Sequence, residues 1–386
     1  MVSVKELVSN YPFKDRLRFC GEKDVSLCFN KGKAFIVCEP SFRGYAKKLK
    51  DASDNADVSI IEASDERSIE NLSSVSGVTV VSLLGKRLLN VLRKECVLGD
   101  NRLIAVLIDL SIASVFKTEE YFFQKRGLVL EKLTLPDKVL IDLNGQYVLK
   151  RSSIADGLCE CAKLTSFLSE ARICGKEVGD AEKQAKRIID LISSAKNENL
   201  VSTVIKAELL AAKLYCEHPK AAFCPAYFVG KILNRGRFGV SEEEAEYAAA
   251  KAVAAFYSIC LKAPVYDALV APDHYSKLQK LSALLGGDEL AYFDEFSPCD
   301  EKTVHDSLKK IVQAEDPLKT IDDALKTFGK LDKVYSLAYG GRKKRADFSA
   351  REIAFAISEG AYLSGGFLKL LCDGGVTGAL YEAYER

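Results

Sequence analysis

The chain has 386 residues, 48% of them hydrophobic, with 55 Lys and Arg against 54 Asp and Glu for a net charge of +1. That is long enough for two domains with separate cores, and the charge balance excludes a global field for nucleic acid or an anionic membrane. No apolar run approaches the roughly 20 residues that span a bilayer, and the opening MVSVKELVSNYPFKDRLRF is charged too early and too often for a signal peptide, so a cytoplasmic protein is expected.

Short apolar, β-rich runs at Ala34–Cys38, Val58–Ile61, Val78–Leu84, Leu103–Leu110 and Val139–Leu143 alternate with helical patterns. Such alternation predicts a parallel sheet covered by helices. The last run opens the stretch Leu135 to Lys163, LPDKVLIDLNGQYVLKRSSIADGLCECAK, where Val139, Leu140, Ile141 and Leu143 form a strand closed by Asn144-Gly145. Ile154, Leu158, Cys161 and Ala162 then recur at i, i+4, i+7 and i+8, the spacing of a helix face. From about Ile154 the β-rich runs give way to alanine- and leucine-rich helical segments such as Ala181–Ala195 and Glu243–Leu261. Ser241-x-x-Glu244 and Ser349-x-x-Glu352 are capping-box patterns, and Asp300 precedes the periodic series Val304, Leu308, Ile311. The expected organisation is an α/β domain over residues 1–147 and a helical domain over 148–386, with no internal repeat and no low-complexity tract.

Glu160 and Lys163 lie three apart on the predicted helix, and that spacing makes them neighbours on one face. The pair reads in two ways: as an ordinary helix-surface ion pair, or as a carboxylate that holds a metal beside an ammonium that holds a phosphate or carboxylate. Twelve cysteines are scattered along the chain, and several, such as Cys38 in KAFIVC and Cys260 in AAFYSIC, read as small buried hydrophobes. Cys159-x-Cys161 lacks a second pair at zinc-finger spacing, and Cys216 and Cys224 have only His218 for company. His274 follows Asp273 at a predicted helix start, where capping or solvated roles are the default. His305, beside Asp306 in a charged helix, reads as a surface residue.

A proline-preceded VLID strand, a short connection with an arginine, and an A-x-G-L-x-E-x-x-K helix together resemble the segment that supplies the first metal ligand in 3-dehydroquinate synthases. The wider superfamily contains iron-containing alcohol dehydrogenases, glycerol dehydrogenase and glycerol-1-phosphate dehydrogenase, many of which use Asp where this chain has Glu160. The resemblance implies a Rossmann-like α/β N-terminal domain with a parallel sheet, an all-α C-terminal domain, zinc or iron, NAD, and a polyol or sugar-phosphate-type substrate. It assigns metal binding to Glu160 and substrate contact to Lys163, and it suggests a homodimer.

Several motifs depart from the pattern. In the superfamily the strand matching Val78–Leu84 enters a triple-glycine turn, whose amides and following helix N-terminus hold the dinucleotide pyrophosphate. Here the turn reads Ser82-Leu83-Leu84-Gly85-Lys86, with only Gly85 in register. Leu83 and Leu84 place branched side chains where phosphate belongs, which predicts weak NAD binding or none. The remaining candidate nucleotide contacts are Gly85, Lys86 and, in place of a Pro-Thr-Thr/Ser turn, Asp109 and Ser111. Lys117 lies roughly where the synthases carry a substrate-binding lysine after a glycine pair that is absent here. The family's other two metal ligands are histidines from a G-H-T-x-x-H-like helix and an H-G-E-x-V helix start. Phe238-Gly239-Val240 matches the second with Phe238 in the histidine position. The first falls on His218 or on Phe223, according to register, which leaves either Glu160 with His218 or Glu160 alone.

Arg342-Lys343-Lys344-Arg345 reads as a solvated loop or as a phosphate-binding loop over the site, and it lacks the interleaved aromatics of a single-strand nucleic-acid binder. Two functions compete. One is an active enzyme, synthase-like or a polyol or alcohol dehydrogenase, with the metal as Lewis acid and NAD as hydride acceptor. The other is a non-catalytic descendant that serves as a small-anion binder or interaction protein.

Overall fold

The structure is a computed structural model that describes residues 14–385 apart from 30, 125–126, 143–149, 176–178, 236–239, 263–271, 288–291, 293–295 and 340–346. Its contacts divide the chain into two units, residues 1–120, 131–157 and 198–217 in the first and 121–130, 158–197 and 218–386 in the second. The expected boundary at 147–148, the strand end at Leu143, the Asn144-Gly145 turn, Phe238-Gly239 and the Arg342–Arg345 run all lie outside the described residues.

The first unit is built on a six-stranded sheet. Its strands are β1 (Leu17–Cys20), β2 (Ala34–Cys38), β3 (Val58–Glu62), β4 (Thr79–Leu83), β5 (Arg102–Leu107) and β8 (Lys138–Asp142), while β6 (Glu119–Gln124) and β7 (Gly127–Lys132) form a separate two-stranded ribbon. The order across the sheet is β1-β8-β5-β4-β2-β3, with every pair parallel. Strands covered on both faces read as continuous apolar runs rather than alternating ones, and AFIVC, TVVSL, RLIAVL and KVLID do so. Ile36, Val81 and Ile104 stand in register across three central strands and are fully buried. Each such side chain contributes about 1.5–3 kcal/mol of transfer free energy.

β1 was not expected, because LRFC sits in a charged opening segment and gains its place only by pairing with β8, Leu17 opposite Val139. The run expected over Leu103–Leu110 stops as a strand at Leu107. There the Ser111 N–H donates to Asp109 Oδ1 at 2.9 Å and turns the chain toward the Ile112–Val115 helix.

The second unit is helical apart from the part of the β6–β7 ribbon that falls in residues 121–130. Its helix starts follow the predicted signals. Ser349 and Glu352 form a reciprocal capping box, and the Asp300 side chain accepts the Thr303 N–H. The Ser241 hydroxyl likewise accepts the Glu244 N–H at 3.1 Å. The Pro225–Arg235 helix lies against its neighbours at backbone contact, since a Cβ on Gly230 would meet Glu246 Cα at 2.8 Å and one on Gly360 would meet Val229 Cα at 2.8 Å. Glycine at 230 therefore fixes how near the Glu242–Lys262 helix brings Glu246. Among the described residues no helix is long and apolar enough to cross a membrane.

Candidate functional site

In the first unit, β4 delivers Leu83 to the turn and Gly85 caps the Lys86–Leu98 helix. The first amides of a helix have no partner within it. Here the Gly85 N–H donates to Glu39 Oε1 at 2.8 Å, and a Cβ at Gly85 would lie 3.1 Å from that same oxygen. The glycine makes room for a carboxylate at the end of β2. Glu39 is itself anchored, its N–H donating to the Leu83 carbonyl at 3.2 Å. Leu83 and Leu84 are buried. Asp109 belongs to the same cluster: burial raises its carboxyl above the usual range and Glu39 pushes it further up, against the Ser111 hydrogen bonds and the Lys86 charge. Gly85, Lys86, Asp109 and Ser111 are thus gathered at one end of the sheet, together with a carboxylate, Glu39, that the motif comparison did not single out.

Lys117, also in the first unit, is 2% exposed, with Nζ 3.9 Å from Glu120 Oε2 and 5.4 Å from the Tyr215 ring centroid. Beneath it Arg93 is fully buried and donates to the carbonyls of Thr134 at 2.8 Å and of Lys117, and to Asn90 Oδ1 at 3.1 Å. Burial pulls the Arg93 guanidinium down to about 9, while the Glu120 charge opposes that fall. Arg93 sits in RLLNVLRKE, where the helical pattern gave no sign of a buried guanidinium.

The second unit holds Glu160 and Lys163. Both are 0% exposed, so the surface reading of the pair is corrected: the two side chains are buried. Lys163 Nζ lies 2.8 Å from Glu160 Oε1 and 2.6 Å from Glu246 Oε2. The Tyr227 ring stands 5.8 Å from the ammonium, and the Cys224 thiol donates to the Lys163 carbonyl at 3.6 Å. Burial pushes that thiol up to about 11, which keeps it protonated. Glu246 was missed because it follows the acidic run of a helix start. Its signal was positional, for it shares a face with Ala250 and Val253 at i+4 and i+7, and a carboxylate on an apolar stripe requires an internal partner.

His218 starts a short 3-10 turn at Pro219–Ala222 and is half-buried, with its ligand atom within 4.8 Å of one from Asp180. Among the described residues no set of three His, Cys, Asp or Glu donors at that mutual distance includes Glu160. Phe223, the other register for that ligand, packs edge-on against Tyr121 at 5.2 Å and Tyr227 at 5.1 Å between ring centroids. His305 is exposed, as expected. The helix start before His274 is capped by Asp273, which accepts the Tyr275 and Ser276 amides, while His274 Nδ1 is buried with no hydrogen-bond partner among the described residues, its ring 6.0 Å from that of Tyr362.

No protein-family model and no curated protein matches this sequence. Solved structures do match the fold. A 1,3-propanediol oxidoreductase aligns with a TM-score of 0.56 at 13% identity, over 96% of this chain and 97% of that one. The iron-containing alcohol dehydrogenase of Corynebacterium glutamicum ATCC 13032 aligns with a TM-score of 0.54 at 11% identity, over 96% and 94%. A parallel α/β unit followed by a helical unit, in the fold of the iron-containing alcohol dehydrogenases, is the architecture of this chain.

Proposed function

We propose that this chain is a divergent descendant of the dehydroquinate synthase-like superfamily. In this reading its nucleotide turn and metal-bearing helix have become internal contacts, and it works as a binding or interaction protein rather than through zinc or iron and NAD. The observation that carries the reading is Lys163 Nζ between Glu160 and Glu246, at 2.8 and 2.6 Å. A metal ligand must offer its lone pairs to the ion, whereas the Glu160 carboxylate already holds an ammonium. The set Glu160, Lys163 and Glu246 contains no imidazole, and a cation among the donors opposes a divalent ion. The nucleotide turn supports the same reading. A pyrophosphate approaching the Lys86–Leu98 helix meets the Glu39 carboxylate on the Gly85 amide, charge against like charge.

The competing reading, an active dehydrogenase or synthase-like enzyme acting on a small polyol or a phosphorylated substrate, rests on the fold alone. Metal analysis of the full-length protein purified with zinc and iron in the medium, together with calorimetry against NAD, separates the two. Substoichiometric metal and no NAD heat at millimolar concentration are expected; stoichiometric zinc or iron with micromolar NAD affinity overturns the proposal.

A further inference from the structure

The helical unit contains a hollow of about 300 Å³ that belongs to none of the sites above. Its floor is the Glu242–Lys262 helix, where Ala248, Ala252 and Ala255 recur at i, i+4 and i+7 and keep the surface low. Tyr335 from the Glu315–Tyr339 helix forms one wall, and Asp347, Phe348 and Ile353 form the other. The volume falls at the lower end of the range for small-molecule sites.

Among the described residues the charges around the hollow are of one prevailing sign. Glu244 and Asp347 line it, and the one lining ammonium among the described residues, Lys251, is held by Asp332 at 2.7 Å. That makes three carboxylates against one lysine among the described residues. The hydroxyls follow the same polarity: Tyr247 donates to Asp332 Oδ1 at 2.6 Å, and Tyr335 donates to Glu244 Oε1 at 3.0 Å. Each phenol has one hydrogen, and each is already directed at a carboxylate, so an entering anion meets negative charge without hydroxyl donors. The Tyr247 and Tyr335 rings are stacked at 5.4 Å, and with Phe348, Ile353 and the alanines they give the hollow an apolar body.

We infer that this hollow binds a small organic cation, an alkyl- or arylammonium whose charged end faces Glu244 and Asp347 and whose hydrocarbon lies on the alanine floor. Carboxylates beside aromatic rings are the surroundings in which an ammonium loses least on leaving water. The inference rests on the helical unit alone and is independent of the reading proposed above.

The test is titration of the full-length protein with 2-phenylethylammonium, 2-phenylethanol and 3-phenylpropionate, followed by calorimetry and ligand-observed NMR. The ammonium is expected to bind about tenfold more tightly than the alcohol, with the carboxylate weakest. Asp347→Asn weakens the ammonium roughly threefold and leaves the alcohol unchanged, while Ala252→Phe fills the floor and removes binding of both. Circular dichroism melting confirms that each variant is folded. Equal affinity for ammonium and alcohol, tightest binding of the carboxylate, no ammonium binding at millimolar concentration, or unaltered binding by a folded Ala252→Phe variant overturns the inference.

Discussion

The turn before the Lys86–Leu98 helix and the centre at Glu160 meet the same electrostatic demand with opposite charges. At the turn a helix N-terminus, which favours an anion, receives the Glu39 carboxylate. At the centre two carboxylates, which favour a cation, receive the Lys163 ammonium. In each place a side chain of the protein supplies the charge that the proposed reading would otherwise give to a ligand. The two differ in burial. Glu39 and Gly85 are half-buried, so water can replace a lost partner, whereas Glu160, Lys163 and Glu246 are almost wholly removed from solvent. The same kind of substitution should therefore be far more costly at the centre than at the turn.

Removing the cation at the centre costs most. Lys163→Met removes the ammonium between the buried Glu160 and Glu246 carboxylates, and a loss of about 3–5 kcal/mol is expected in urea unfolding. Adding Glu160→Gln and Glu246→Gln should restore most of it, since neutral amides no longer repel. Failure of that rescue means the lysine acts through packing rather than charge.

At the turn, Glu39→Ala removes the acceptor of the Gly85 N–H, and about 0.5–1.5 kcal/mol is expected. The same variant should acquire a thermal shift with inorganic pyrophosphate that the native protein lacks, because the helix amides then face solvent without a competing carboxylate. Equal shifts in both proteins would show that Glu39 does not guard the turn.

The smallest effect concerns Asp109. Its folded-state pKa is raised, chiefly by burial. Between the ordinary carboxylate pKa and the raised value the unfolded chain has released a proton that the folded chain keeps, so stability falls as pH rises through that window. Asp109→Asn, which can still accept the Ser111 N–H, should flatten this segment of the stability profile. An unchanged profile separates Asp109 from the charge cluster at the turn.

The sheet was legible because buried parallel strands announce themselves as apolar runs, and the helix starts were legible because Ser241, Asp300 and Ser349 carry their caps in the local sequence. β1 was not, since LRFC has no pattern of its own and depends on β8. The Glu160–Lys163 pair was visible from spacing, but its burial was not: helix periodicity gives a face and leaves open what covers it. Glu39 and Glu246 were invisible for one physical reason. Each acts on a residue distant in sequence, Gly85 from Glu39 and Lys163 from Glu246, and the contact exists only once the sheet and the close Gly230 packing have formed.

Anomalous diffraction from crystals of the protein grown with zinc and with ferrous iron tests whether an internal ammonium stands where the proposed ancestry places a metal. The expected result is Lys163 Nζ between Glu160 and Glu246, with no anomalous peak at Glu160. A peak roughly 2.0–2.2 Å from a Glu160 oxygen, completed by His218 or another histidine, would contradict it.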